Sequence, residues 1–272
     1  MSATRVIERG WLGRIDPAEL WRYRDLVFQL ARRDLQLRYR QTLFGVAWAI
    51  LQPVATMAVL SVVFDRFAKI PSDGFPYPLF AFAALVPWQL FALALSQASN
   101  STVANPSLIT KVYFPRVLIP AASVLSGMPE FAVSFVVLVA LMLWYGVHPS
   151  LAILAVPLLA LLAVVAALAV GLWLSALNVR YRDVRYAIPF LLQLWLLATP
   201  IAYPVILVPE RWRLFVFLNP LAGIVQGFRW AVLGDGAFPA TMLAVSLGAS
   251  LVVLVSGLWF FQRLQRSFAD EV

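Results

Sequence analysis

No cysteine and only one histidine, His148, occur in the 272 residues. Disulfides and thiolate chemistry are therefore excluded, and Ser-His-Asp catalysis or a histidine-rich metal site has almost nothing to be built from. Lysine is nearly as scarce. Lys69 follows Ala68 and Lys111 follows Thr110, so the Gly-Lys-[Ser/Thr] of a phosphate-binding loop is missing, and the chain is not expected to hydrolyse ATP itself. Charge is low as well, at 12% of residues where a soluble domain carries about 25%. With 62% apolar residues and a mean hydropathy of +0.85, a soluble fold of this length is excluded. No cleavable secretory signal is read at the start, because residues 1–40 are charged throughout.

What the chain does have is long uncharged runs, and runs of 18 or more residues read as transmembrane helices. Six are found: Gln41 to Phe64, Pro78 to Ala98, Val117 to Tyr145, Ser150 to Val179, Tyr186 to Pro209 and Ala237 to Gln262. The expected fold is an all-α integral membrane protein. Residues 1–40 form an N-terminal region, 41–262 a six-span domain and 263–272 a tail. Sixteen of the 21 basic residues fall on one side of these spans. The positive-inside rule then puts both termini in the cytoplasm. The net charge of +8 sits beside the spans, where it serves membrane orientation, and no nucleic-acid partner is expected.

From Leu20 to Gln41 polar residues recur every three or four positions, among them Arg22, Asp25, Gln29, Arg32, Arg33, Gln36 and Arg40, with Val27, Ala31 and Leu35 on the other side. The spacing predicts a helix about 33 Å long. It suits either an anchor for anionic headgroups of membrane lipids or a docking helix for a partner. Gln52-Pro53 predicts a kink in the first span, more for packing than for a substrate. Asn105-Pro106 predicts a short helix from Pro106 to about Phe114, and the charges between Asn178 and Tyr186 suit a second one. Glu130, the only acid within any span, marks a bundle interior, a cavity or a partner. Leu214 to Leu233, broken by Asn219-Pro220 and containing Arg229, predicts two short helices in the outer leaflet, ended by Gly234-Asp235-Gly236. Gly223 and Gly227 would allow another helix to approach.

The motifs Arg38-Tyr39-Arg40-Gln41-Thr42-Leu43-Phe44-Gly45, Trp48-Ala49-Ile50-Leu51-Gln52-Pro53, Leu108-Ile109-Thr110-Lys111-Val112-Tyr113-Phe114-Pro115-Arg116 and Asn178-Val179-Arg180-Tyr181-Arg182-Asp183 resemble, as an ordered set, the permease subunit of ABC exporters for O antigen, capsule and teichoic acid. The resemblance runs from about Leu26 to the C-terminus. It implies a homodimeric channel in the bacterial inner membrane, served by two copies of a separate ABC ATPase that bind ATP and magnesium. No cofactor or metal is implied on this chain itself.

The resemblance also implies residue roles. It places Arg32, Arg33, Asp34, Arg38, Tyr39, Arg40, Lys111, Tyr113, Phe114, Arg180, Arg182 and Asp183 against the ATPase. Glu210 to Gly234, with Asn219, Pro220 and Arg229, corresponds to the outer gate. Aromatic faces suit sugar rings, and Trp88, Phe91, Trp195 and Tyr203 are candidates for the pathway, with Glu130. The cargo implied is a lipid-linked polysaccharide. A permease of the same fold for drugs or small lipids, or a proton-coupled carrier using Glu130, are the alternatives.

Overall fold

The computed structural model describes residues 21–39, 47–111, 114–234, 236–265 and 268. Among them there is no strand, and five helical stretches are long and apolar enough to cross a membrane. A sixth is reached if a pair bent by 96°, Glu210–Phe217 and Ala222–Leu233, counts as one span.

In chain order the helices are α1 (Arg24–Tyr39), α2 (Ala47–Leu60), α3 (Tyr77–Ser101), α4 (Pro106–Lys111), α5 (Leu118–Leu125), α6 (Met128–Trp144), α7 (Val156–Arg180), α8 (Val184–Ala198), α9 (Glu210–Phe217), α10 (Ala222–Leu233) and α11 (Ala240–Leu264). A π-helical segment, Ser61–Phe67, prolongs α2, and a 3₁₀ turn, Leu151–Ala155, leads into α7.

The centre of the bundle is α3, buried along nearly its whole length, with α7 as its main partner. Two features bring this pair close. A Cβ on Gly171 of α7 would lie 2.6 Å from the Cβ of Ala98 on α3, so only glycine fits there. Beside it the hydroxyls of Thr102 and Ser175 share a 2.5 Å hydrogen bond, and the Asn178 amide donates to Ser99 O (2.9 Å) and Asn100 Oδ1 (3.2 Å). Small residues and interhelical polar contacts are what hold helices together where apolar burial offers no preference over lipid. At Gly223, 2.6 Å from a potential Cβ to Met242 O, α10 meets α11 in the same way.

Proline in a span leaves a carbonyl without its helical donor. Pro53 lies buried inside α2, and the carbonyl it deprives, that of Ala49, accepts from the hydroxyl of Ser134 on α6 at 3.3 Å. Pro53 thus creates a docking point between α2 and α6.

Two sequence expectations are corrected and two are refined. The third run is, as expected, one stretch long and apolar enough to cross a membrane, Leu118–Trp144, with a turn at Ser126–Gly127 between α5 and α6 that puts Glu130 in the first turn of α6. The fifth run is α-helical only as far as Ala198, the end of the 15-residue α8, because Thr199-Pro200 ends it, and only a 3₁₀ turn, Val205–Leu207, follows. At 1.5 Å per residue that is about 22 Å, short of the roughly 30 Å hydrocarbon core. The charges from Asn178 to Tyr186 form no helix of their own. They are the end of α7, a turn, and the start of α8. The helix beginning at Pro106 is described only to Lys111, and Phe114 lies in a bend.

Candidate functional site

The basic loops, α1 and the C-terminal end of α11 gather at one end of the bundle. An apolar cluster there includes Ile109, Phe114, Leu118, Ile119, Val179, Phe261 and Phe268, and Tyr23, just before α1, packs on it with Leu26 and Val27 of α1. Leu30 continues that inward stripe as a buried residue. One turn on, the stripe turns polar. Asp34 accepts from Ser123 of α5 (2.9 Å) through Oδ2 and from Arg33 (2.9 Å) through Oδ1. Arg33 also donates to Oδ1 of Asn105, just ahead of α4 (2.6 Å). Arg38 pairs with Glu130 of α6 at 3.1 Å. The surface helix is therefore clamped to α5, to α6 and to the approach to α4.

Two cavities flank this clamp. One, of about 350 Å³, is polar and lined by Arg33, Asp34, Arg38, Gln97, Asn100 and Asn105 among others. The other, of about 320 Å³, runs between α2, α3 and α6, with Arg38, Glu130, Gln52, Gln89, Ser134 and Trp88 on its walls. Arg38 borders both.

At the opposite end the bent pair is pinned by two polar centres. Arg229 is 2% exposed; its guanidinium donates to the carbonyls of Pro200 (2.8 Å), Ile201 and Phe80, and lies 3.6 Å from the centre of the Phe80 ring. Asn219, at the bend, accepts from Trp195 Nε1 (2.9 Å) and from the backbone N–H of Leu221 (3.0 Å), while its own amide donates to Thr199 (2.9 Å). Pro220 is buried beside it, and Gly234 closes α10 in the left-handed conformation at φ 71°.

The candidates from the sequence separate clearly. Of those assigned to the ATPase face, Arg32, Arg180, Arg182 and Asp183 are exposed, whereas Arg33, Asp34 and Arg38 are engaged within the chain and Phe114 is buried. Arg40, Tyr113 and the side chains of Tyr39 and Lys111 lie outside the described residues. Of the aromatic candidates, Trp88 borders the 320 Å³ cavity beside α2, and Tyr203 is half-buried. Phe91 is fully enclosed, linking Trp88 (5.8 Å between ring centres) to Trp195 (5.1 Å, edge to face). Ser123 and Ser134 are not singled out by the sequence, and Asn105 is marked there only as the residue that opens the helix at Pro106. Each is a small polar residue with a partner at least 70 positions away, so no local pattern marks that contact.

These observations define a multi-pass α-helical membrane protein in which a surface helix is tied to both helices of one membrane-crossing stretch. The ABC-2 type transporter family model matches residues 25–233, and the chain belongs to that family. Among curated proteins it is similar to the O-antigen export system permease protein RfbA of Myxococcus xanthus, 28% identical over 257 residues, which cover 93% of this chain and 98% of that protein. A protein of the same name from Klebsiella pneumoniae is 28% identical over 247 residues, 90% and 94% of the two chains. The polysialic acid transport protein KpsM of Escherichia coli is 23% identical over 233 residues, 85% and 90%.

Proposed function

We propose that this chain is the membrane subunit of an ATP-driven exporter of lipid-linked cell-surface polysaccharide, working as a homodimer in the bacterial inner membrane with two separate ATPase subunits. The observation that carries the reading is the near full-length similarity to two O-antigen permeases, joined to a clamp that ties a surface helix to a membrane-crossing stretch. The basic end then faces the cytosol, with Arg32, Arg180, Arg182 and Asp183 on the surface offered to the ATPase. The bent pair α9–α10 becomes the outward gate, and the groove bordered by Trp88 and Glu130 becomes one protomer's share of the pathway.

Dimerisation has a physical motive. Six helices enclose too narrow a space for a polymer. Along α8 only Ile188 is buried, leaving Phe190, Leu191, Leu194 and Leu197 exposed, and α2 likewise exposes Trp48, Leu51 and Val59. A second copy covers such faces as readily as lipid does. A proton carrier working through Glu130 finds less support, since the carboxylate is committed to Arg38. The test is affinity purification in mild detergent with identification of co-purifying chains. A stoichiometric subunit with a phosphate-binding loop is the expected result, and a chain that purifies alone as a monomer overturns the proposal.

A further inference from the structure

The sequence offers Trp195 as a pathway aromatic, and its contacts point to a second task. Trp88 stands on the wall of the 320 Å³ cavity and meets Phe91 at 5.8 Å between ring centres. Phe91 is fully buried and meets Trp195 edge to face at 5.1 Å. At spacings of roughly 4.5–7 Å aromatic rings hold one another in preferred orientations. The row of rings ends in a hydrogen bond, because the indole Nε1 donates to Asn219 Oδ1 at 2.9 Å. That oxygen also accepts from the Leu221 N–H, so one atom joins α8 to the backbone where α10 begins.

The bend at Asn219 is gripped from two sides that differ in kind. On one side stands Ser246 of α11, whose hydroxyl accepts from the Gly223 N–H (2.9 Å) and donates toward the carbonyls of Phe217 (2.9 Å) and Asn219 (3.0 Å). Gly223 leaves no room there for a Cβ, so this grip is rigid. On the other side the grip depends on where Trp195 stands. Trp195 also borders a separate cavity of about 340 Å³, lined by carbon side chains such as Leu95, Val170, Leu174 and Leu191. A close-packed interior passes displacement on, while a cavity lets a side chain yield. A push from Trp88 through Phe91 therefore meets a ring that has space to move into.

We propose that Trp195 is the positioning residue of the outer bend. Bulk against Trp88 shifts Phe91, drives Trp195 toward the 340 Å³ cavity and withdraws its N–H from Asn219. The Ser246 grip remains, so the bend loosens without coming apart. The helix that carries the indole suits this task. Leu192 and Leu196 of α8 face the 320 Å³ cavity, while Trp195, next to Leu196 in the chain, reaches the bend. The functional sense rests on the export reading above: cargo lying beside Trp88 would unlatch the outward gate from within the membrane.

The experiment follows hydrogen exchange at the bend, residues 217–222, by mass spectrometry on the full chain in detergent. Gln89→Trp adds bulk to the 320 Å³ cavity beside Trp88, and Gln89→Met is its control of similar volume. Gln89→Trp is expected to speed exchange at the bend about fivefold, as loss of one neutral hydrogen bond would, and Gln89→Met to leave it unchanged. Trp195→Phe keeps a ring for Phe91 to meet but has no donor. It is expected to speed the bend by a similar factor alone, and Gln89→Trp then adds nothing further. Phe91→Leu breaks the row in its middle, and there too Gln89→Trp is expected to add nothing. A merely structural Trp195 would loosen α10 along its length, whereas exchange over residues 224–232 is expected to stay as in the parent chain. An unchanged bend in Gln89→Trp or in Trp195→Phe, additive effects in either double variant, or faster exchange spread through α10 overturns the proposal. Exchange is read without export or an ATPase, so this failure is distinct from failure of the export reading.

Discussion

The two ends of the bundle handle arginine in opposite ways. Arg229 is wholly enclosed and satisfied by backbone carbonyls and an aromatic face, acceptors fixed in position by the helices that carry them. Arg33 and Arg38 stay about a third exposed, meet carboxylates on side chains, and keep one donor each unspent. The first arrangement has one solution, and leaving it means exposing a bare charge in apolar surroundings. The second has partners that can be exchanged. The difference separates a pin from a clasp, and it locates adjustability at the basic end.

The sharpest way to break the contrast is Arg229→Met. It strands three carbonyls and removes the cation over Phe80, and a loss of about 3–5 kcal/mol is expected, in the range found when one member of a buried charged contact is removed. Thermal unfolding in detergent reads it; a shift no larger than that of a surface substitution would show that the pin holds nothing. Next comes Arg38→Glu, which sets two carboxylates face to face and is expected to cost about 1–3 kcal/mol for a half-buried pair. The exchange Arg38→Glu with Glu130→Arg should recover more than half of that loss in the same measurement. No such recovery is expected for any exchange at Arg229, since its partners are backbone.

Asn219→Ala removes the link between Trp195, Thr199 and the bend, at about 1–2 kcal/mol. Its signature is a changed rate of disulfide formation between cysteines placed on α8 and α9, in a chain that has none of its own. The smallest effect is expected from Ser123→Ala, about 0.5–1 kcal/mol, because Asp34 keeps Arg33. Hydrogen exchange along α1 should rise in that variant while α10 is unchanged.

Much of this architecture was legible beforehand because the signals are local. Long apolar runs give spans, Pro106 opens α4, and Gly234 ends α10. The polar side of α1 is read correctly for Asp25, Gln29, Arg32 and Gln36, which are exposed, as is Arg22 ahead of it. Periodicity assigned Arg33 to that same side, yet its partner Asn105 lies 72 positions on, and a helical wheel carries no information about it. The third run reads as one span and is one, but the turn at Ser126–Gly127 inside it leaves no signal, because two small residues in an apolar run are compatible with an unbroken helix. Glu130 was marked as exceptional, rightly, but its partner came from the segment read as a docking helix. The end of α8 was misplaced since the residues after Thr199-Pro200 remain apolar while turning back toward Arg229.

The contacts of α1 straddle the interruption in the third run: Ser123 lies before Ser126–Gly127 and Glu130 after it. Their partners Asp34 and Arg38 are one helical turn apart, about 6 Å along the axis. The surface helix is thus a splint laid across a joint. Sliding it lengthwise carries both halves together and leaves their angle unchanged. Tilting it lifts one attachment relative to the other and flexes the joint. A subunit pressing from below would therefore move the bundle by the direction of its push more than by its distance.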